Sequence, residues 1–105
     1  MRLTPQLERV LSVFLEDPTV PRHGYDLMKA ASLPSGTLYP MLARLEDEGL
    51  VSSKWGDAGP NGRPPRRNYL LTPEGARVAR QELAESSLDA RRVTLRRMRP
   101  ARGAP

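Results

Sequence analysis

The stretch Ser35-Gly36-Thr37-Leu38-Tyr39-Pro40-Met41-Leu42-Ala43-Arg44-Leu45-Glu46-Asp47-Glu48-Gly49 decides the fold. Leu38, Met41, Leu42 and Leu45 fall at helical spacing, and Gly49 stands where a helix end favours a left-handed residue. Pro40 is comfortable only in a first turn, where its missing N–H would have no partner anyway. The regular helix therefore either starts near Thr37 or is distorted there. The exposed positions at its start, Ser35, Thr37 and Tyr39, carry hydroxyls, and Gly36 permits close approach of another backbone.

Upstream of this helix, His23-Gly24-Tyr25-Asp26-Leu27-Met28-Lys29-Ala30-Ala31 reads as two helical turns closed by Ser32 and Pro34, with Tyr25, Leu27 and Met28 available for packing. So short a helix depends on tertiary contacts. Nearer the N-terminus, Thr4-Pro5 supplies a cap and a first helical residue. Leu7, Val10, Leu11, Phe14 and Leu15 follow as one buried stripe. Pro18 and Pro21 end that helix near Glu16 or Asp17.

Downstream, Leu50 to Trp55 and Arg67 to Leu71 are strand-like runs, joined by a stretch from Gly56 to Arg66 that contains three Gly and three Pro. They predict a hairpin with a basic tip. Thr72-Pro73-Glu74 repeats the helix-start signature, and a charged, Ala-rich helix is expected from there to about Met98. Ala84, Leu88, Leu95 and Met98 can share one of its faces, with Arg91 interrupting the stripe.

A chain of 105 residues with 38% hydrophobic residues accommodates one compact core, and its five aromatic residues leave little apolar surface for enclosing a large ligand. The formal charge is +5, and fifteen of the seventeen cations are Arg, whose planar fork matches phosphate and guanine edges. A polyanionic partner explains that balance; so does a GC-rich genome. The absence of cysteine excludes disulfides, thiolate catalysis and Cys-based zinc sites. Met1-Arg2-Leu3-Thr4-Pro5 lacks the apolar core of a signal peptide, and no run approaches a membrane span. A soluble, cytoplasmic protein without membrane association is expected.

Three helices followed by a two-stranded hairpin, with an amphipathic third helix and a basic hairpin tip, is the element order of a winged helix-turn-helix, an α+β fold that is mostly α. In that fold the third helix enters the major groove and the hairpin, or wing, reaches the flanking backbone. Several motifs sharpen the reading. His23-Gly24-Tyr25-Asp26-Leu27, Ser35 to Leu42, Arg44-Leu45-Glu46 through Glu48-Gly49-Leu50, and Tyr69-Leu70-Leu71-Thr72-Pro73-Glu74-Gly75 together resemble the signature of PadR-type repressors, in order and over nearly the whole chain.

The resemblance implies a homodimeric, usually repressing regulator that binds a roughly palindromic operator in double-stranded DNA and pairs through its C-terminal helix. One helix after the wing resembles the short PadR subgroup. Residues 1–72 are then the winged-helix DNA-binding domain, 73–99 the dimerisation helix and 100–105 a disordered tail. The resemblance also implies a possible small-molecule effector near the dimer interface, of unknown identity. The wing departs from the usual pattern: Gly62-Arg63-Pro64-Pro65-Arg66-Arg67-Asn68-Tyr69 has one inserted residue, and Asn68 stands where the family commonly has a tyrosine.

The expected DNA-binding residues are Ser35, Gly36, Thr37, Tyr39, Arg44, Lys54, Arg63, Arg66 and Arg67. Ser35 and Thr37 also fit plain helix capping, and Arg44 fits either a phosphate contact or an ion pair with Glu48. Arg63, Arg66 and Arg67 sit on a proline-stiffened loop, and Lys54 enters the same face if its strand alternates. Leu88, Leu95 and Met98 are the expected dimerisation residues, while Arg91, Arg92, Arg96, Arg97, Arg99 and Arg102 either bind DNA flanks or solubilise the tail. Tyr25 and Trp55 are read as packing residues, with a cavity wall also open to Trp55.

His23 is the single histidine, so no metal site is expected, and Glu46-Asp47-Glu48 reads as a solvated helix end. No nucleotide-binding fingerprint or nucleophile motif is present, which argues against an enzyme and against a cofactor. Two rivals remain: a winged-helix protein-interaction module, and an RNA-binding domain, for which exposed stacking aromatics are expected.

Overall fold

The structure, a computed structural model, describes residues 3–57 and 59–98; within them, the side chains of 60 and 93–98 are outside the description. Helix α1 spans Pro5–Glu16 and is capped as its sequence dictates: the Thr4 hydroxyl accepts from the Leu7 N–H at 3.1 Å. A two-residue strand β1, Arg22–His23, leads into α2, Gly24–Ala31. The residue closing α2, Ser32, takes the left-handed conformation at φ 54, and its N–H bonds the Lys29 carbonyl.

Helix α3 covers Ser35–Asp47 and runs through Pro40. It starts two residues before Thr37, so Pro40 lies in the second turn, on an exposed position, and cannot donate the i→i−4 bond that the Gly36 carbonyl would otherwise receive. The N-cap is Pro34, whose carbonyl receives both the Thr37 and Leu38 N–H groups at 3.0 Å. Among the described residues, neither Ser35 nor Thr37 makes a capping side-chain bond. Gly49 follows at φ +76, the conformation its place after the helix requires.

Strands β2, Val51–Trp55, and β3, Arg67–Leu71, pair antiparallel, and β1 adds to the free edge of β3 to give the order β1-β3-β2. The sequence showed no sign of β1, because two residues carry no periodicity. Helix α4, Pro73–Met98, completes the winged helix. Thr72 joins α3 to α4: its hydroxyl donates to the Gly49 carbonyl at 2.7 Å and accepts from the Gly75 N–H at 2.9 Å.

Phe14, Leu11, Val10, Leu27, Leu38, Leu42 and Val51 are the largest fully buried side chains, one core beneath three helices and the sheet. Each contributes on the order of 1.5–3 kcal/mol by leaving water. The first turns of α4 belong to this core, with Ala76 and Ala79 buried and Val78 and Leu83 packed against it. At Gly75 a Cβ would stand 1.8 Å from the Leu50 carbonyl oxygen, so only glycine fits that crossing. Tyr25 and Trp55, expected to pack, are instead exposed at 55% and 69%. The leucines and valines fill the core without them. No helix among the described residues is long and apolar enough to cross a membrane.

Candidate nucleic-acid interface

Burial of Leu38, Leu42 and Leu45 fixes the orientation of α3. At about 3.6 residues per turn, Thr37 and Tyr39 then fall on opposite flanks of the buried stripe. Thr37 and Arg44 border a concavity of about 320 Å³ shared with Thr4 and Gln6 at the start of α1. Tyr39 borders another, of about 570 Å³, toward α2 and the wing. Ser35 and Gly36 lie exposed at the tip of the helix, and a Cβ on Gly36 would meet nothing within 4 Å. The expected contacts of α3 are thus split between two flanks around a small outward face of Gly36, Pro40 and Ala43.

Arg44 makes no ion pair with Glu48 among the described residues, and both side chains are exposed. Tyr39 is partly committed: its ring lies against Gly24, where a Cβ would come within 2.6 Å of the phenolic oxygen. That contact accounts for the glycine that opens α2. The ring remains 43% exposed.

The wing sorts its cations by strand register. Trp55 pairs with Arg67, Ser53 with Tyr69 and Val51 with Leu71, so these six share the sheet face turned toward α3 and the core. Lys54 pairs with Asn68 and lies on the opposite face from Arg67. The residue found where a tyrosine is usual therefore points away from Tyr69. Arg63 and Arg66 are exposed and border, with Asn68, a shallow concavity on the Asn68 side; Arg66 also borders the Tyr39 concavity. The tip is shaped by Asn61 and Gly62, both at positive φ, and closed at its base by the Gly56 N–H bonded to the Arg66 carbonyl at 2.7 Å.

Arg67 is anchored inside the protomer. Its guanidinium pairs with the Glu46 carboxylate at 3.2 Å and donates to the Ser53 hydroxyl at 2.7 and 2.9 Å. Ser53 in turn donates to Glu46 at 2.7 Å. The same guanidinium lies over the rings of Trp55, at 5.6 Å, and Tyr69, at 5.8 Å. Glu46, read from sequence as solvated, is half-buried and ties α3 to the wing; Asp47 and Glu48 are exposed as expected. Burial lifts the Tyr69 phenol above its ordinary value of 10.0 against the opposing charge of Arg67.

Tyr25, Glu46 and Ser53 are neighbours of this surface to which the sequence reading gave no part in it, whereas Trp55 takes the cavity wall that reading left open to it. The alternation of Val51, Ser53 and Trp55 was visible. Their partners were not, since a loop from Gly56 to Arg66 leaves the register open.

The profile of the transcriptional regulator PadR-like family matches residues 10–81, more than half of the chain. The chain belongs to that family. A search of curated proteins returned no match. Among solved structures, smu.1704 from Streptococcus mutans UA159 superposes with a TM-score of 0.75 at 22% identity, over 99% of this chain and 98% of that one. A PadR-like transcription factor from Bacteroides fragilis gives 0.61 at 28% identity, covering 86% and 88%. The PcaV transcriptional regulator from Streptomyces coelicolor, in complex with its natural ligand, gives 0.69 at 23% identity. The PadR-like chain is covered to 94% in that superposition but spans only 64% of PcaV. The shared fold is that of transcriptional regulators.

Proposed function

We propose that this PadR-like chain is a sequence-specific regulator acting in the cytoplasm, a homodimeric repressor that binds a palindromic operator. The observation that carries the reading is the meeting of Tyr39 on α3 and Arg66 on the wing at one concavity, which gives a major-groove element and a backbone element a common front. Tyr39, Thr37, Ser35 and the close approach allowed at Gly36 serve base readout. Arg44, Lys54, Arg63 and Arg66 serve phosphates, and Arg67 positions the wing on α3. Pairing through Leu88, Leu95 and Met98 sets the spacing of the two half-sites. A small-molecule effector belongs to the reading, since PcaV was solved with its natural ligand. No enzymatic activity is proposed.

One observation favours a second reading, a protein-interaction module: residues 1–90 carry eleven Lys and Arg against twelve acidic residues. Binding to duplex fragments from upstream of the chain's own gene, at two salt concentrations, separates the two. Tight binding to one fragment, weakened by Tyr39→Ala and weakened with a shallower salt slope by Arg63→Ala/Arg66→Ala, supports the regulator. Uniform weak binding, indifferent to Tyr39→Ala, supports the interaction module.

A further inference from the structure

An acid stands on the flank of α3 that faces the wing. Glu46 follows Tyr39 by two helical turns, so the two side chains leave α3 on nearly the same line, roughly 10 Å apart along its axis. Beside a polyanion a carboxylate is unfavourable by charge alone. What it does here is local. Glu46 accepts from the Arg67 guanidinium at 3.2 Å and from the Ser53 hydroxyl at 2.7 Å, and Ser53 accepts from Arg67 at 2.7 and 2.9 Å. The three side chains close a triangle of bonds between α3, β2 and β3.

The triangle adds little to the stability of the protomer, because its ion pair joins side chains that are 42% and 34% exposed, where water screens such pairs. Its effect is on direction. The Arg67 guanidinium is also stacked over Trp55 and Tyr69, which holds its plane in place. Arg66, one residue earlier, borders the Tyr39 concavity, with its carbonyl bonded to the Gly56 N–H and with no ion pair among the described residues. Pinning Arg67 therefore sets where Arg66 stands relative to Tyr39. Recognition of one base sequence uses that spacing, and plain phosphate binding does not.

We infer that Glu46 and Ser53 are positioning residues for operator recognition: they hold Arg67, and through it the wing, in step with Tyr39, so a carboxylate whose charge opposes DNA is required for specificity. The role in recognition rests on the DNA-binding reading; the brace of Glu46, Ser53 and Arg67 does not.

The brace is read in the free full chain from the exchange of arginine Nε–H groups with water by NMR, with the Arg66 and Arg67 signals assigned as those that Arg66→Lys and Arg67→Lys remove. The Arg67 Nε–H is expected to exchange at least about ten-fold more slowly than that of Arg66, and both Glu46→Gln and Ser53→Ala to speed it toward the Arg66 rate. Equal rates in the parent, or an Arg67 rate that neither variant moves, overturns the brace.

The role in recognition is read from Kd at several salt concentrations, for a duplex from upstream of the chain's own gene and for a scrambled duplex of the same length. Glu46→Gln removes a negative charge, so charge alone tightens both complexes. Positioning instead weakens the upstream duplex by at least about ten-fold and leaves the scrambled one no weaker than with the parent. Ser53→Ala, which changes no charge, shifts the preference in the same direction. Arg67→Gln costs as much preference with the salt slope unaltered, whereas a phosphate contact makes the slope shallower by about 0.9 for each arginine lost. Glu46→Gln/Arg67→Gln loses no more than either single change. All these variants melt within about 5 °C of the parent.

Tighter upstream binding by Glu46→Gln, or a shallower slope with Arg67→Gln, overturns the positioning role. A fall in melting temperature well beyond that range assigns Glu46 to stability and overturns it too. A parent that prefers no upstream duplex over the scrambled one ends the DNA reading and the role in recognition with it, while the exchange rates still decide the brace.

Discussion

The two halves of α4 obey different physics. From Pro73 to Leu83 the helix is part of the winged-helix body: Gly75 crosses the Leu50 carbonyl, Ala76 and Ala79 are buried, and Val78 and Leu83 pack on the core. From Ala84 onward the described side chains leave the protomer. Ala84 is exposed, Leu88 is 50% exposed, and Ser86 bonds Glu8 of α1 at 3.4 Å as the last tie. Leu95 and Met98, expected on the same stripe, have side chains outside the described residues.

Charge divides at nearly the same place. Residues 91–105 contain six arginines and no acid, so the positive balance of the whole chain resides there, and the body with its wing is close to neutral. One half of the helix is a structural member, and the described side chains of the other, from Ser87 to Arg92, lie exposed. The +5 total was therefore a weak guide to the wing, whose cations matter by placement.

The sharpest challenge to this division is Gly75→Ala. A Cβ against the Leu50 backbone cannot be relieved by a rotamer change, so unfolding in urea should show a loss of about 3 kcal/mol. A loss as small as that of an exposed helix position would place the first half of α4 outside the body. In the second half, Leu88→Glu should leave thermal unfolding of the protomer fold intact yet weaken self-association by about a hundred-fold, read by sedimentation against concentration. An unchanged association constant would remove Leu88 from the pairing face.

Replacing Arg91, Arg92, Arg96 and Arg97 with Gln tests the charge division. If the arginines reach operator flanks, affinity should fall by about ten-fold and the salt slope should become shallower by about 2. An unaltered slope assigns them to solubility.

The smallest effect concerns the start of α4. The Arg77 guanidinium holds the exposed Glu74 carboxyl below its ordinary value of 4.5, and Thr19 does the same for the exposed Asp17 below 3.8. Both contributions are present above those values and fade as pH falls through the lowered ones. A slight fall in melting temperature should begin below pH 4.5, and Glu74→Gln should flatten it.

Much of the fold was legible because its signals are local. Thr4-Pro5 and Thr72-Pro73 mark helix starts through bonds spanning three residues, Gly49 stands where the backbone turns left-handed, and the leucine spacing of α1 and α3 names the buried face. The resemblance carried by His23 to Leu27 and Ser35 to Leu42 named the family that the profile then matched. For the candidate site the sequence named side chains that are exposed, Tyr39, Arg63 and Arg66 among them, but not their division between two concavities.

What the tertiary structure alone decided depends on pairings far apart in the chain. Arg67 reaches Glu46 across 21 residues, and only the β2–β3 register places it there, with Trp55 and Tyr69 beneath it and Lys54 behind the sheet. Local sequence signals act over one turn, whereas register and ion pairing follow from where the packed core leaves each strand. The sequence by itself thus determined the elements, their order and the buried stripes. Which arginine pairs with Glu46 and which has no ion pair among the described residues was decided by packing, because identical side chains on neighbouring positions differ only in what the fold puts beside them.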